Sequence, residues 1–531
     1  MTSFVRPVVA IAALCLFSTT TSAQSRTARA DVQWGPELRG AKEGTFEGVV
    51  ASTDDHVYMT VSLKKETFLR KMDKQHRTVY QELVPLKVGK DDHELELIEV
   101  LDDRVVVFTS HLNKKDKTYT LYYRLFDEAR MRPQGGPVRL ADMDIERKKN
   151  AGSFQVTVSP DGSKVLINQQ LPYAKQGRER FRLKVLDNDM APLWDRDVDL
   201  PYEDSEFAVE RVRVDNDGSV MLIGRKYAEK RDAKALRKDG LSTFVYHLIT
   251  YRDDGSDAED HPIQVQDKFF QDLSINVGDE GDILCGGFYG LKSANAISGA
   301  FFLRLDRRTK AVVHSSFKEF DRDFITAYMT EKEEKKATRK AARKDEELEM
   351  PSFELRDIVR REDGGSVLVG EQYKYYAVTT CTTTANGGQT CRTTHHYVYN
   401  DIIVVNVDPQ GDIEWAAKVP KRQHSVNDGG RYASYGMVVM KDRIHLLFND
   451  HGKNLMLTQG AKVEPFKFDK NMLVTLVTIN QDGAVKREAL FPQDKREAMV
   501  RPKTAMQVAD ERMFIYADWK KNHRFGTVVF N

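Results

Sequence analysis

FELRDIVRREDGGSVLVGEQY (353–373) and NDIIVVNVDPQGDIEWAAKV (400–419) decide how this chain is read. Residues 353–362 form one short apolar-polar run, stopped by Asp363-Gly364-Gly365. Residues 366–373 form a second, 400–408 a third, and 413–419 a fourth after Pro409-Gln410-Gly411. Runs of this length, rich in Val and Ile and punctuated by Gly, Pro and Asp, read as antiparallel strands. Between the second and third runs lies an insertion (about 374–399) in which Cys381 and Cys391 bracket an Asn386-Gly387-Gly388 turn. A polar loop, KRQHSVNDGGRYASYG (421–436), follows the fourth.

The same four-run unit recurs. Leu222-Ile223-Gly224 with Tyr227, Leu284-Cys285-Gly286 with Tyr289, and Leu368-Val369-Gly370 with Tyr373 share an apolar pair, a glycine and an aromatic three residues on. Each follows a tight acidic-glycine turn, at 217–218, 280–281 and 363–364. A second hairpin follows each copy, as in LKVLDNDMAPLW (183–194) and LVTINQDGAVKRE (476–488). Four short strands per repeat are the signature of a β-propeller, so the expected fold is all-β, a single propeller from about residue 24 to 531.

Units start near Thr45, Glu94, Ser153, Phe207, Gln271, Phe353 and Ser434. Three more strands remain at the C-terminus, and DVQWGPEL (31–38) supplies the missing fourth. Such a splice removes the free sheet edge. The expectation is therefore eight blades, with seven as the alternative count, closed by an N-terminal strand. Trp34 would then match Trp194 and Trp415 at the start of an outermost strand. One segment breaks the pattern: residues 321–350 have helix-forming composition, with Phe324 and Tyr328 spaced to share a face and Glu331 and Lys335 spaced to pair.

The basic and acidic residues, 81 and 80, nearly cancel, which favours neither nucleic acid nor an anionic surface. Residues 1–23 read as a signal peptide: Arg6, the apolar run VVAIAALCLF (8–17), then small residues before Gln24. No later stretch is long and apolar enough to span a bilayer. The expected location is the periplasm, the outer membrane or the exterior, where Cys381 and Cys391 are expected to form a disulfide. Cys285, inside an apolar strand, reads as a buried, inert thiol.

In a propeller the first-to-second and third-to-fourth turns share one face. Here they are short: SPDGS, DNDGS, EDGGS, DPQGD. The connections of the other face are long, and loops on a rigid scaffold are where binding residues concentrate. The richest such loop holds Lys421, Arg422, His424, Asn427, Asp428, Arg431 and Tyr432, beside Tyr373 and Tyr376. Cations, imidazole, carboxylate and aromatic rings together suit an anionic or sugar-like ligand. Glu371 and Asp428 are the carboxylates available for acid–base chemistry, although their spacing demands no such role. Adjacent His395 and His396 point to opposite sides of a strand, so no metal or other cofactor is expected.

The turn Ser159-Pro160-Asp161-Gly162, and Asp408-Pro409-Gln410-Gly411 with Trp415, resemble the turns of WD40-like and quinoprotein-like propeller repeats. The unit from Phe353 to Trp415 with its NDGG loop resembles that of uncharacterised secreted bacterial propeller proteins. The tryptophan pattern departs from the quinoprotein one, so the resemblance implies no quinone. The expectation is an exported, monomeric binding or interaction module whose long-loop face takes a protein or glycan, rather than an enzyme. The alternatives are a hydrolase or lyase acting on a glycan or peptide at the channel mouth, and a structural subunit of an envelope complex docked by the helical insertion.

Overall fold

The computed structural model describes residues 25–531, except 40–43, 54, 103, 146–149, 174–176, 240, 253, 265–267, 279–280, 291–295, 345–347, 349, 352, 384–388, 459 and 494–497. The expected signal peptide (1–23) and the tip of the cysteine loop lie outside the described residues.

Among those residues the chain builds eight antiparallel sheets of four principal strands each, seven from one stretch of chain and the eighth from two, some carrying additional short strands. The first is Thr45–Ser52, His56–Leu63, Glu66–Asp73 and Thr78–Leu83. The second runs from Glu94–Leu101 to Pro133–Asp144, and the third from Ser153–Val158 to Pro192–Glu203. The fourth runs from Phe207–Val214 to Asp257–Ile263, and the fifth from Phe269–Val277 to Val312–Glu319. The sixth is Glu354–Arg360, Ser366–Thr383, Gln389–Val407 and Ile413–Val419. The seventh runs from Gly436–Val439 to Val485–Pro492. In the eighth, Met506–Ala509, Arg512–Trp519 and Asn522–Phe530 are joined by Ala30–Trp34, which pairs antiparallel with Asn522–Phe530.

The sheets stack face to face in a cycle. Each hydrophobic cluster draws on two successive sheets: Leu69 and Tyr58 with Ile98 and Val107, for example, or Val369 and Val404 with Leu446 and Val477. The last cluster joins Phe46, Met59 and Met72 of the first sheet to Phe514, Tyr516 and Phe525 of the eighth. This is a β-propeller. Because both faces of every sheet are covered by neighbours, the inner strands read as continuous apolar runs, whereas the outermost strand of the first sheet is almost wholly exposed. The recurrent glycine has a packing reason. A Cβ on Gly370 would sit 2.5 Å from the Phe288 ring of the preceding sheet, and one on Gly286 would sit 2.8 Å from Leu368 of the following sheet.

Trp194 and Trp415 rivet neighbouring sheets. Their indole N–H groups donate to Gly218 O (3.0 Å) and Gln481 O (2.7 Å) in turns of the next sheet. Trp34 does not match them. It ends its strand instead of starting it, and it packs edge-on against Phe491 under the Arg524 guanidinium.

Between the fifth and sixth sheets the helical insertion divides in two. Helix α1 (Lys230–Lys238) stands earlier, inside the fourth sheet's long loop, where no helix was expected. Helix α2 (Arg322–Thr326) is capped by Asp321, and α3 (Glu331–Lys344) starts with a reciprocal Thr330/Glu333 cap. Phe324 and Tyr328 do not share a helical face, because the helix ends at Thr326 and Tyr328 takes a positive φ of 64°. Glu331 and Lys335 pair at 3.4 Å.

Turns of one face touch one another: Arg307 of the fifth sheet grips Asp215 (2.8 Å) and Asp217 of the fourth. The large inserts meet on the other side. Lys418 donates to Ile325 O (3.0 Å) and Ala327 O (3.1 Å) at the end of α2, and Phe466 N donates to Arg422 O (2.9 Å). They belong to the fourth through seventh sheets. The first, second and eighth keep tight second-to-third turns, at 64–65, 114–117 and 520–521.

Candidate functional site

Two strands of the sixth sheet run far beyond their neighbours. Ser366–Thr383 and Gln389–Val407 pair continuously to Thr383↔Gln389, making a projecting ribbon. The Cys381–Cys391 disulfide ties it, with both cysteines exposed. A third strand from the crossover loop, Gln423–Val426, pairs with His396–Tyr399 and braces the base. Asn427, with φ 56°, locks this brace: its N–H donates to His395 O (2.9 Å) and its Oδ1 accepts from His395 N (2.8 Å).

Alternation divides the side chains between two ribbon faces. On one, Tyr373 packs on Tyr399 (4.7 Å), and the Tyr375 hydroxyl meets His395 Nδ1 at 2.7 Å. On the other, Tyr376 stacks on His396 (4.6 Å), which meets His424 through ring nitrogens 3.0 Å apart. Lys374 lies 5.5 Å over the Tyr376 ring. Tyr375, Tyr376, Val378 and Val426 are exposed. His395 and His396 therefore face opposite ways, as the sequence implied.

Beneath the ribbon the remaining predicted residues turn inward. Lys421 is fully buried and donates to Glu371 Oε1 (2.7 Å) and Gln423 Oε1 (3.1 Å). Ser434 Oγ donates to the second Glu371 oxygen at 2.6 Å. Gln423 passes the network on to Asn449 O (2.8 Å), and Asn449 holds Tyr432 O and Val500 O, joining the sixth, seventh and eighth sheets. Burial pushes the Lys421 ammonium down from its ordinary pKa, opposed by the adjacent Glu371. Arg431 is held by Asp518, and the buried Tyr432 hydroxyl donates to Asp518 O at 3.1 Å. Asp428 accepts from Gly430 N (2.9 Å) in a turn. Glu371 and Asp428 thus serve different tasks: one neutralises a buried cation, the other shapes a loop.

Of the loop cations singled out from sequence, Arg422 reaches a cavity. It bonds Asp401 and, with His424, Tyr328, Glu333 and Lys462, lines a cleft of about 290 Å³ between the helical insertion, the crossover and the seventh sheet's long loop. Thr330 N–H and the facing Arg422 and Lys462 hold the Glu333 carboxyl below its usual range. Lys503 belongs here but was not foreseen from sequence. Its ammonium sits 4.2 Å over the Tyr399 ring and bonds that residue's hydroxyl and Gly429 O. Its motif, RPKT, carries no signal beyond a turn. Cys285 is fully buried, its thiol pushed up to about 12 by desolvation.

No family model and no curated protein matches this chain. Several solved structures overlap it loosely. An uncharacterized protein from Listeria monocytogenes EGD-e does so at 8% identity, covering 90% of this chain and 89% of that one, with a TM-score of 0.34. Prolyl oligopeptidase B from Galerina marginata does so at 10% identity, covering 90% and 56%, with a TM-score of 0.40. Drosophila Plexin A, in complex with Semaphorin 1b, does so at 8% identity, covering 95% and 88%, with a TM-score of 0.32. The function has to be argued from the chain's own site. No helix among the described residues is long and apolar enough to cross a membrane.

Proposed function

We propose that this protein is an exported interaction module that binds a protein partner through the ribbon and its bracing crossover strand. The reading includes a single eight-bladed, monomeric propeller that follows a cleaved signal at residues 1–23. One observation carries it: a disulfide-tied, three-stranded projection on which Tyr375, Tyr376, Val378, His424 and Val426 are exposed on a rigid scaffold. Tyrosine supplies large amphipathic contact area at low conformational cost, and a pre-braced ribbon loses little freedom on binding. The Tyr376 ring is already stacked on His396 at 4.6 Å, with the Lys374 ammonium 5.5 Å from its centre, which leaves little ring face for flat stacking on a sugar. Export is supported by the apolar N-terminal run and by a disulfide suited to an oxidising compartment.

A photocrosslinking residue at position 376, in cells producing the protein, is expected to trap a discrete protein adduct. The same residue at position 308, on the short-turn face, is expected to trap none. Tyr375→Ser with Tyr376→Ser should weaken recovery of that partner roughly 10-fold or more, the cost of losing two aromatic anchors. Equal adducts at both positions, or none at 376, would overturn the reading. The acid–base alternative has no comparable support, since Glu371 is occupied by Lys421 and Ser434.

A further inference from the structure

A second cavity lies away from the ribbon. Helix α1 and the loop after it fold back over the third strand of the fourth sheet. Leu236, Leu241, Phe244, Ile263, Phe269 and Phe270 enclose a pocket of about 480 Å³ there. Its walls are built firmly. Phe270 stacks on Phe301 at 3.9 Å, Phe244 sits edge-on to Tyr246 at 5.5 Å, and Leu241 N–H donates to Leu236 O at 2.8 Å. A pocket of this size, lined mainly by apolar side chains with Ser242, Gln264 and Lys268 among them, is the usual form of a small-molecule site.

One cation stands in its wall. Lys268 is half-buried and lines the cavity. Its ammonium lies over the rings of Tyr289 (4.7 Å) and Phe317 (5.9 Å). It has no carboxylate partner among the described residues, although 30% of this chain is charged and Arg252, Arg304 and Lys310 of the same two sheets all have one. The ring faces orient the ammonium without adding a full opposing charge. A half-buried cation with no carboxylate bonded to it among the described residues, beside a largely apolar chamber, is complementary to a molecule with an apolar body and one anionic end.

We infer that the pocket under α1 binds a small amphipathic anion, a medium-chain aliphatic or aromatic carboxylate, with the acid on Lys268 and the body among Phe244, Phe269 and Phe270. This site is independent of the ribbon surface. Octanoate is the test ligand, with 8-anilinonaphthalene-1-sulfonate and its uncharged parent N-phenyl-1-naphthylamine as fluorescent probes of the full exported chain. Octanoate is expected to displace the anionic dye. Lys268→Gln should weaken the anionic dye and octanoate about 10-fold or more, the usual worth of one charge-assisted bond, while the neutral dye changes less than about twofold. Leu241→Trp, at an exposed lid position, should abolish both dyes with the melting temperature unchanged. If Lys268→Gln alters the two dyes equally, or both bind undiminished to the Leu241→Trp protein, the inference is wrong.

Discussion

Glu99 shows what a single carboxyl on an innermost strand costs. It has no hydrogen bond or ion pair among the described residues, and burial alone raises its pKa from 4.5 to about 7. Between those values the folded state holds a proton that the unfolded state has released. This residue's influence is therefore neutral below about pH 4.5, grows more destabilising as pH rises, and is complete above about 7. Glu99→Gln should thus raise stability at pH 8, on the order of 1 kcal/mol once solvent screening is allowed for, and change nothing at pH 4. Urea denaturation at both pH values measures it, and an equal effect at both would refute it. Residue fates were partly legible beforehand. The sequence grouped Lys421, Arg422 and Tyr432 in one polar loop, but whether each faces water depends on which sheets close over it. Lys421 is sealed by side chains from distant turns of the chain, and no local pattern encodes that.

At the scale of elements, alternation and turn residues marked nearly every four-stranded unit. They missed the bulges. The first strands of the first, second, fourth, fifth and sixth sheets each slip register near their start, at Phe46/Gly48, Leu95/Leu97, Val209/Arg211, Phe270/Asp272 and Leu355/Ile358. One extra residue leaves strand composition intact while turning later side chains to the opposite face. Helix α1 was missed because KRDAKALRK offers only Ala233 and Leu236 as an apolar stripe. The cysteine-flanked segment was expected to fold back as a hairpin, and it does, but the length of the paired ribbon was not foreseen: threonine-rich strands exposed on both faces show no period of two. Its disulfide is an element-scale staple. Cys381→Ser with Cys391→Ser should speed amide exchange across Thr379–Thr383 by roughly 10- to 100-fold, the loop-closure entropy of a short crosslink, while the global melting temperature hardly moves. A fall of many degrees instead would mean that the ribbon is integral to the core.

For the whole molecule, the decisive contact is between its two ends. Ala30 and Val32 are fully buried within the cluster of Leu476, Ile515 and Val528, and Arg29 pairs with Glu488 of the seventh sheet at 3.1 Å. Removing residues 25–34 uncovers the edge of Asn522–Phe530 and strips Ala30, Val32 and Trp34 from that cluster. Loss of several buried apolar side chains is worth roughly 3–5 kcal/mol, and a bare edge invites pairing between molecules. The truncated protein should melt well below the intact one and elute as aggregates, with a synthetic 25–35 peptide restoring both properties. Monomeric, unaltered behaviour would show that the ring is held without its clasp.

That clasp also sets a timetable. Residues 30–34 leave the ribosome long before 522–530 exist, so the first segment must wait, unpartnered, for the second. A chain cut short anywhere between them has nothing to shut against. The ring closes only when both are present, and every copy interrupted between them stays open to the proteases that clear it.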